Sequence, residues 1–202
     1  MRRFVFGVAM VCLLAAMTGR VALAQGAATT AAAEDKTAPS YDMKAQAILD
    51  LQGLQKKFVE LAQAYPQEKL TWRPGADVRS VSEVFLHVAG SNYAIVGMMG
   101  VPKPEKYGPN FDKSTTDKAA IVDELNKSFE HAIASVQAMS NADFAKALPK
   151  LGPQANAGDV VYILVTHIHE HLGQSIAYAR ENGIVPPWTA EAMKKAGKAP
   201  QD

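Results

Sequence analysis

The sequence predicts an all-α protein, a four-helix bundle followed by a short extra helix at the C-terminus. Apolar residues recur at spacings of three and four in four separate stretches, which is the periodicity of amphipathic helices. None of the segments between them shows the alternation of a half-buried strand. Capping and stop residues bound the stretches, and 202 residues suffice to bury one core.

The start of the chain, residues 1–24, is predicted to be a secretory signal peptide. A basic start (Arg2 and Arg3) precedes an apolar run, and a small-residue cleavage site ends at Ala24. The apolar run is shorter than the roughly 20 residues that a membrane-spanning helix needs. We therefore expect export to the periplasm or the outside, with no stable membrane insertion after cleavage. A retained N-terminal anchor is the alternative.

Cleavage changes the charge and the thiol content of the protein. Loss of Arg2, Arg3 and Arg20 leaves 18 basic against 20 acidic residues, so the net charge falls from +1 to −2. A chain without a basic patch is not expected to bind nucleic acid. The only cysteine, Cys12, leaves with the signal peptide, which excludes disulfides and a cysteine nucleophile.

Three further regions follow the signal peptide. Residues 25–39 contain few large apolar side chains and are predicted to form a disordered linker. Residues 40–188 are predicted to form the helical bundle. Residues 189–202 are expected to contain a short helix and a polar tail.

The first helix is predicted from Ser40, as N-cap, to Tyr65, where Pro66 stops it. Its apolar face comprises Ile48, Leu51, Leu54, Phe58, Leu61 and Tyr65. The second helix is predicted to begin at Ser80, because Ser80 and Glu83 have the spacing of a capping box. Its inward stripe comprises Val81, Val84, Phe85, Val88, Ser91 and Ile95, and His87 lies on the edge of that stripe.

A loop rich in proline and glycine, residues 100–116, follows the second helix. A long loop in a compact domain is often functional, so it is either a cover for the site or a plain crossover connection. The third helix is predicted from Asp117 to Met139, with His131 on its solvated side. Residues 140–148 are expected to form a short helix or a turn.

The fourth helix is predicted from Asp159 to Asn182, with a capping box that begins at Asn156 and a C-cap at Gly183. Its inward stripe comprises Val160, Ile163, Leu164, Ser175 and Tyr178. A second apolar stripe runs along its flank and comprises Val161, Val165, Leu172 and Ile176. The second stripe suggests contact with another subunit or with the terminal segment.

Three of the five histidines lie in this fourth helix. At about 100° per residue, His167 and His171 fall about 20° on either side of Val160, in the middle of the inward stripe, and His169 falls on the back. Residues at i and i+4 are neighbours, so the inward pair can bind one metal ion. The alternative is a pair of core histidines with satisfied hydrogen bonds. With His87, the pair would make a three-histidine site from two helices.

The residues around these histidines resemble the DinB-like superfamily. The resemblance rests on Ser80–His87 in the second helix and on His167–Gln174 in the fourth, and it covers about residues 41–187. It implies the four-helix bundle, a homodimer, and a divalent metal bound by His87, His167 and His171. Among its relatives are transferases for low-molecular-weight thiols and an isomerase.

The sequence therefore suggests a metal-dependent hydrolase or thiol transferase that acts on an unidentified small-molecule substrate. Zinc is the first choice of metal, with nickel, iron and manganese as alternatives. Glu83 and Gln174 are candidates to orient a ligand, and Asn92 is a weaker one. The competing hypotheses are a non-catalytic bundle that binds a metal or a small molecule, and a metal-free packing module.

Overall fold

The computed structural model describes residues 42–198. Within that range the secondary-structure elements are all helices. The helices are α1 (Met43–Ala64), α2 (Val81–Gly97), α3 (Lys118–Gln137), α4 (Asn141–Phe144), α5 (Ala157–Glu181) and α6 (Pro187–Lys195). The predicted all-α fold is confirmed. The predicted signal peptide, the linker and the last four residues of the tail lie outside the described residues.

Side-chain caps fix where the long helices begin. Ser80 and Glu83 form the predicted capping box of α2, and Asn156 and Asp159 form that of α5. The N-cap of α1 is Asp42, whose side chain accepts a hydrogen bond from the backbone of Ala45, so the predicted cap at Ser40 is wrong. Asp and Ser are about equally good N-caps, and the residue nearer the apolar stripe is the one that is used.

Four long helices pack in the order α1, α3, α2, α5 around the bundle. Helix α1 packs against α3 and α5, and α2 packs against the same two helices, so α1 and α2 lie on one diagonal. This arrangement brings the middle of α2 against α5, the helix that carries three of the five histidines.

Aromatic side chains fill the centre of the bundle. Phe58 of α1 lies edge-on to Phe85 of α2, with 6.2 Å between ring centroids, and 5.9 Å from Phe129 of α3. Tyr65 lies 5.9 Å from Phe85. All four side chains are fully buried, so the apolar faces predicted for the first three helices meet in one core.

Two predictions for α5 are corrected by the structure. Ile163, assigned to the inward stripe, is 45% exposed. Val161 and Leu172, assigned to a flank facing another subunit or the terminal segment, are buried in the core of the same chain. The reason is that α5 lies between α1 and α2, which cover a wider sector of its surface than a single stripe.

His131 is also corrected, because it is not a solvated residue. Its ring lies 4.6 Å from that of Tyr93, and its Nε2 is buried without a hydrogen-bond partner among the described residues. Burial lowers the pKa of this imidazole. The loop after α2 covers this region: Tyr107 stacks on Tyr93 at 3.9 Å and donates a 2.6 Å hydrogen bond to Glu124.

Two short helices, α4 and α6, lie outside the four long helices. Residues 140–148 contain α4, and an isolated bridge pairs Ala147 with Asn156. Helix α6 contacts α1, where Lys57 lies over the ring of Trp188. Among residues 42–198, no helix has both the length and the apolar character to cross a membrane.

Candidate metal centre

The fold brings together the three histidines that the sequence singled out. His87 projects from α2, and His167 and His171 project from α5 one turn apart. One ring nitrogen from each lies within 4.8 Å of those of the other two. The ring centroids are 5.3 Å apart for His87 and His167, 4.6 Å for His87 and His171, and 4.5 Å for His167 and His171.

Burial keeps the pKa values of two of these imidazoles low. Burial, with smaller contributions from Arg79, His171 and His167 and against the opposing effect of Asp112, lowers the pKa of His87 to about 4. The pKa of His167 is lowered chiefly by burial and then by His171. Both rings are therefore neutral at neutral pH, with a lone pair available for a ligand.

Gln174 holds the third imidazole in one tautomer. The Nδ1–H of His171 donates to Oε1 of Gln174 at 2.8 Å, and Nε2 of Gln174 donates to the hydroxyl of Tyr178 at 3.0 Å. The ring of Trp72 lies edge-on to Tyr178 at 5.3 Å, which supports this chain. With Nδ1 protonated, the lone pair of His171 is on Nε2, where it can bind a cation.

His167 and His87 each have a ring nitrogen that forms no good hydrogen bond with the protein. Nδ1 of His167 is buried and has no hydrogen-bond partner among the described residues. Nε2 of His87 has only a long contact of 3.5 Å to the hydroxyl of Ser91. An unpaired buried nitrogen costs about 1–3 kcal/mol, and coordination of a cation is one way to satisfy it. The residues present therefore fit a divalent metal.

Two other candidates from the sequence are engaged elsewhere. The carboxylate of Glu83 accepts from the backbone of Ser80 at 2.8 Å and from Arg73 at 3.0 Å, so it caps α2. Asn92 is buried and donates to Ser128 of α3 at 3.1 Å. Of the candidates for orienting a ligand, only Gln174 makes a hydrogen bond to one of the three histidines.

A cavity of about 250 Å³ opens beside His87. The loop after α2 forms one wall, because its residues Tyr107, Phe111 and Asp112 line the cavity together with Arg79 at the start of α2. Gly90 allows this close approach, since a Cβ at that position would lie 3.2 Å from Cδ1 of Phe111. Of the two hypotheses for the loop, a cover beside the site and a plain crossover, the structure favours the first.

Sequence reasoning missed Arg79 and Asp112. Nε of Arg79 donates to Oδ2 of Asp112 at 3.2 Å, across 33 residues of sequence. A basic residue just before an N-cap and an acidic residue in a Pro/Gly-rich loop are both ordinary in sequence. The available signal was that the loop follows the helix that carries His87.

Fold and site together define a class: a helical bundle with three inward histidines compatible with a divalent-metal site. Comparison with known proteins identifies the family. The sequence matches the DinB superfamily over residues 50–175, and the chain belongs to that superfamily. The search of curated proteins gave no match.

A solved structure agrees with this assignment at the level of the fold. The chain is similar to a crystal structure of a DinB-like protein from Bacillus cereus ATCC 10987, with a TM-score of 0.58 and 16% sequence identity. The match covers 68% of this chain and 93% of that one. At this identity the similarity shows the shared helical architecture alone.

Proposed function

We propose that this protein binds a divalent cation through His87, His167 and His171 and uses it to act on a small-molecule substrate. The observation that carries the proposal is the convergence of three ring nitrogens within 4.8 Å of one another. Imidazole ligands suit zinc, nickel and iron. Zinc is our first choice, and nickel, iron and manganese remain alternatives.

The number of ligands favours catalysis over a purely structural role. The group of candidate ligands found in residues 42–198 has three members, all histidine. Structural zinc sites are closed by four protein ligands, whereas catalytic sites have three and an open position. The cavity is lined by one of the three ligands, His87, and we propose that a small molecule reaches the open position through it.

When bound, the cation would supply Lewis-acid chemistry, which activates a water molecule or a thiol for attack. The chain contributes the rest. Burial keeps His87 and His167 neutral, so they do not lose their lone pairs to protons at neutral pH. Gln174 fixes the orientation and tautomer of His171. These roles suit a metal-dependent hydrolase or a thiol transferase.

Of these two reactions we favour hydrolysis. The N-terminal sequence predicts export, and water is available in every compartment, whereas the thiol pools used by relatives are cytoplasmic. A test is to screen ester, amide and thiol-addition substrates with metal-loaded and metal-stripped protein. Activity only with a thiol co-substrate would reverse our preference.

The metal site is tested by titrating zinc into wild type and into three single variants, His87→Ala, His167→Ala and His171→Ala. We expect one zinc per wild-type chain and a loss of at least about 100-fold in affinity in each variant, because two ligands remain. His169→Ala is the matched control: it is on the same helix, two residues from both ligands, and exposed. Its affinity should equal that of wild type.

Two results would contradict this proposal. Wild type that binds no zinc, nickel, iron or manganese at neutral pH would leave only a metal-free bundle. Equal losses in the His169→Ala control would indicate non-specific binding. If a chelator removes the metal and the chain unfolds, the non-catalytic, structural alternative gains support over an open site.

Export and a homodimer are further parts of the proposal. Sequencing the N-terminus of protein recovered from an exporting host should find Gln25 first; an intact Met1 start would support the retained anchor.

Tyr162 and Ile163 are 68% and 45% exposed and adjacent on α5, which gives a candidate dimer surface. Ile163→Glu should then shift the mass measured by light scattering to that of a monomer.

A further inference from the structure

The cavity beside His87 contains one basic side chain and one acidic side chain. Arg79 is the basic one and Asp112 is the acidic one, and they form an ion pair with 3.2 Å between Nε and Oδ2. Among the described residues Nε is the only guanidinium nitrogen of Arg79 with a hydrogen-bond partner. The two terminal nitrogens are therefore free to bind a ligand.

The ion pair is accessible to a ligand from solvent. The side chain of Arg79 is 44% exposed and that of Asp112 is 20% exposed. An ion pair that is partly solvated contributes little to stability, at most about 1 kcal/mol. A ligand anion can therefore compete with Asp112 for the guanidinium at small cost.

The charges at this end of the bundle favour an anion. His87 and Tyr107 are the other titratable side chains that line the cavity, and neither adds a carboxylate to it. With Asp112 balancing Arg79, a bound divalent cation leaves the cavity with an excess of positive charge. A low-dielectric cleft with such an excess concentrates small anions.

The walls and the size of the cavity restrict the rest of the ligand. Phe111 and Tyr107 form an aromatic wall, with ring centroids 4.7 Å apart. The cavity of about 250 Å³ is smaller than the roughly 300–1,000 Å³ that drug-sized ligands occupy. A molecule of about one ring, apolar on one side, fits this space.

We propose that the substrate is a small organic carboxylate that is held by Arg79. A guanidinium binds a planar carboxylate through two parallel N–H donors. The apolar body of the ligand lies against Phe111, and its other end faces His87. Asp112, paired with Nε, competes with the ligand for the positive charge of the guanidinium. This inference rests on the proposed function, since it names the substrate class of the same site.

The test is calorimetric titration of the purified, zinc-loaded protein with benzoate and acetate. Benzamide and acetamide are the uncharged counterparts. We expect the carboxylates to bind at least about 10-fold more tightly than the amides, because hydrogen bonds to a charged group contribute about 1.5–3 kcal/mol. Failure of wild type to bind either carboxylate, or equal binding of acid and amide, would overturn the proposal.

Three variants assign the effect to Arg79. Arg79→Gln should weaken benzoate binding about 10- to 100-fold. Arg79→Lys should weaken it less, since lysine keeps the positive charge and loses only the two parallel N–H donors. Asp112→Asn should tighten binding several-fold, because it removes the internal competitor. Arg73→Gln is the matched control, since Arg73 is similarly exposed but pairs with Glu83 outside the cavity.

The signs of these effects separate recognition from a structural role. If Arg79 only stabilised the loop through Asp112, both Arg79→Gln and Asp112→Asn would weaken binding and lower the melting temperature together. An Arg79→Gln variant that binds benzoate like wild type, or an Asp112→Asn variant that binds equally or more weakly, would overturn the inference.

Metal content measured on the same samples distinguishes this inference from the proposed function. Arg79-dependent benzoate binding in protein that takes up no metal would sink the metal proposal and leave the carboxylate site standing. Stoichiometric zinc binding, together with benzoate binding that does not depend on Arg79, would contradict the carboxylate site and leave the metal proposal standing.

Discussion

Replacing Gln174 with leucine should weaken metal binding while leaving all three histidine ligands in place. The perturbation removes the acceptor that lies 2.8 Å from Nδ1 of His171 and the donor that lies 3.0 Å from the hydroxyl of Tyr178. Leucine has a similar volume, so the packing of α5 is retained. The imidazole of His171 is then free to change tautomer and to rotate.

The size of the effect follows from what the hydrogen bond does. Loss of a partner that orients a ligand typically lowers metal affinity about 10- to 100-fold, which corresponds to roughly 1.4–2.7 kcal/mol. The metal-free protein loses two partly buried hydrogen bonds, each contributing about 0.5–1.5 kcal/mol, and leucine offsets part of this by apolar burial. The zinc-dependent part of the stability should therefore fall more than the stability of the metal-free form.

The assay is competition of the protein with a chelator for zinc, together with calorimetric melting with and without zinc. Gln174→Glu should restore most of the affinity, because a carboxylate also accepts from Nδ1–H. Gln55→Leu is the control, since Gln55 bonds Asn126 at 3.3 Å and takes no part in the histidine cluster. Zinc affinity unchanged in Gln174→Leu would refute the reasoning.

Further predictions concern stability. Phe85→Ala should cost about 3–5 kcal/mol by opening a cavity in the core, and a melting temperature lowered by less than about 5 °C would contradict it. Ser80→Ala should cost roughly 1 kcal/mol through the lost cap of α2, whereas Ser114→Ala, at an exposed position, should cost nothing measurable. In the metal-free protein the pKa of His87 is about 4 when folded and 6.5 when unfolded, so the unfolded state binds more protons between these values. Its contribution to stability is complete above pH 6.5 and is lost as the pH falls toward 4; urea titrations of wild type and His87→Ala should converge over this window.

Most of the helices follow from local sequence. Ser80 with Glu83 and Asn156 with Asp159 are capping boxes whose partners are three residues apart, so their geometry depends on neighbours in the chain. The pairing of His167 with His171 is equally local, because residues four apart share a helix face. The predicted start at Ser40 shows the limit of such signals, since Asp42 is an equally good cap nearby.

The surroundings of individual helix residues do not follow from local sequence. The helical wheel placed Ile163 inside and His131 outside, and both assignments were wrong, because the wheel gives an angle and does not say which neighbour lies at that angle. Glu83 and Gln174 were equal candidates by spacing. Only the coordinates show that Glu83 bonds Arg73 and the backbone of Ser80, while Gln174 bonds His171.

The sequence by itself determined the long helices, the capping boxes of α2 and α5 and the paired histidines of α5, because each depends on contacts within a few residues. Tertiary structure decided that α2 lies against α5, so that His87 meets that pair, and that Arg79 and Asp112 meet beside it. These contacts join residues far apart in the chain, and packing of the whole core selects them. No spacing within one helix contains that information.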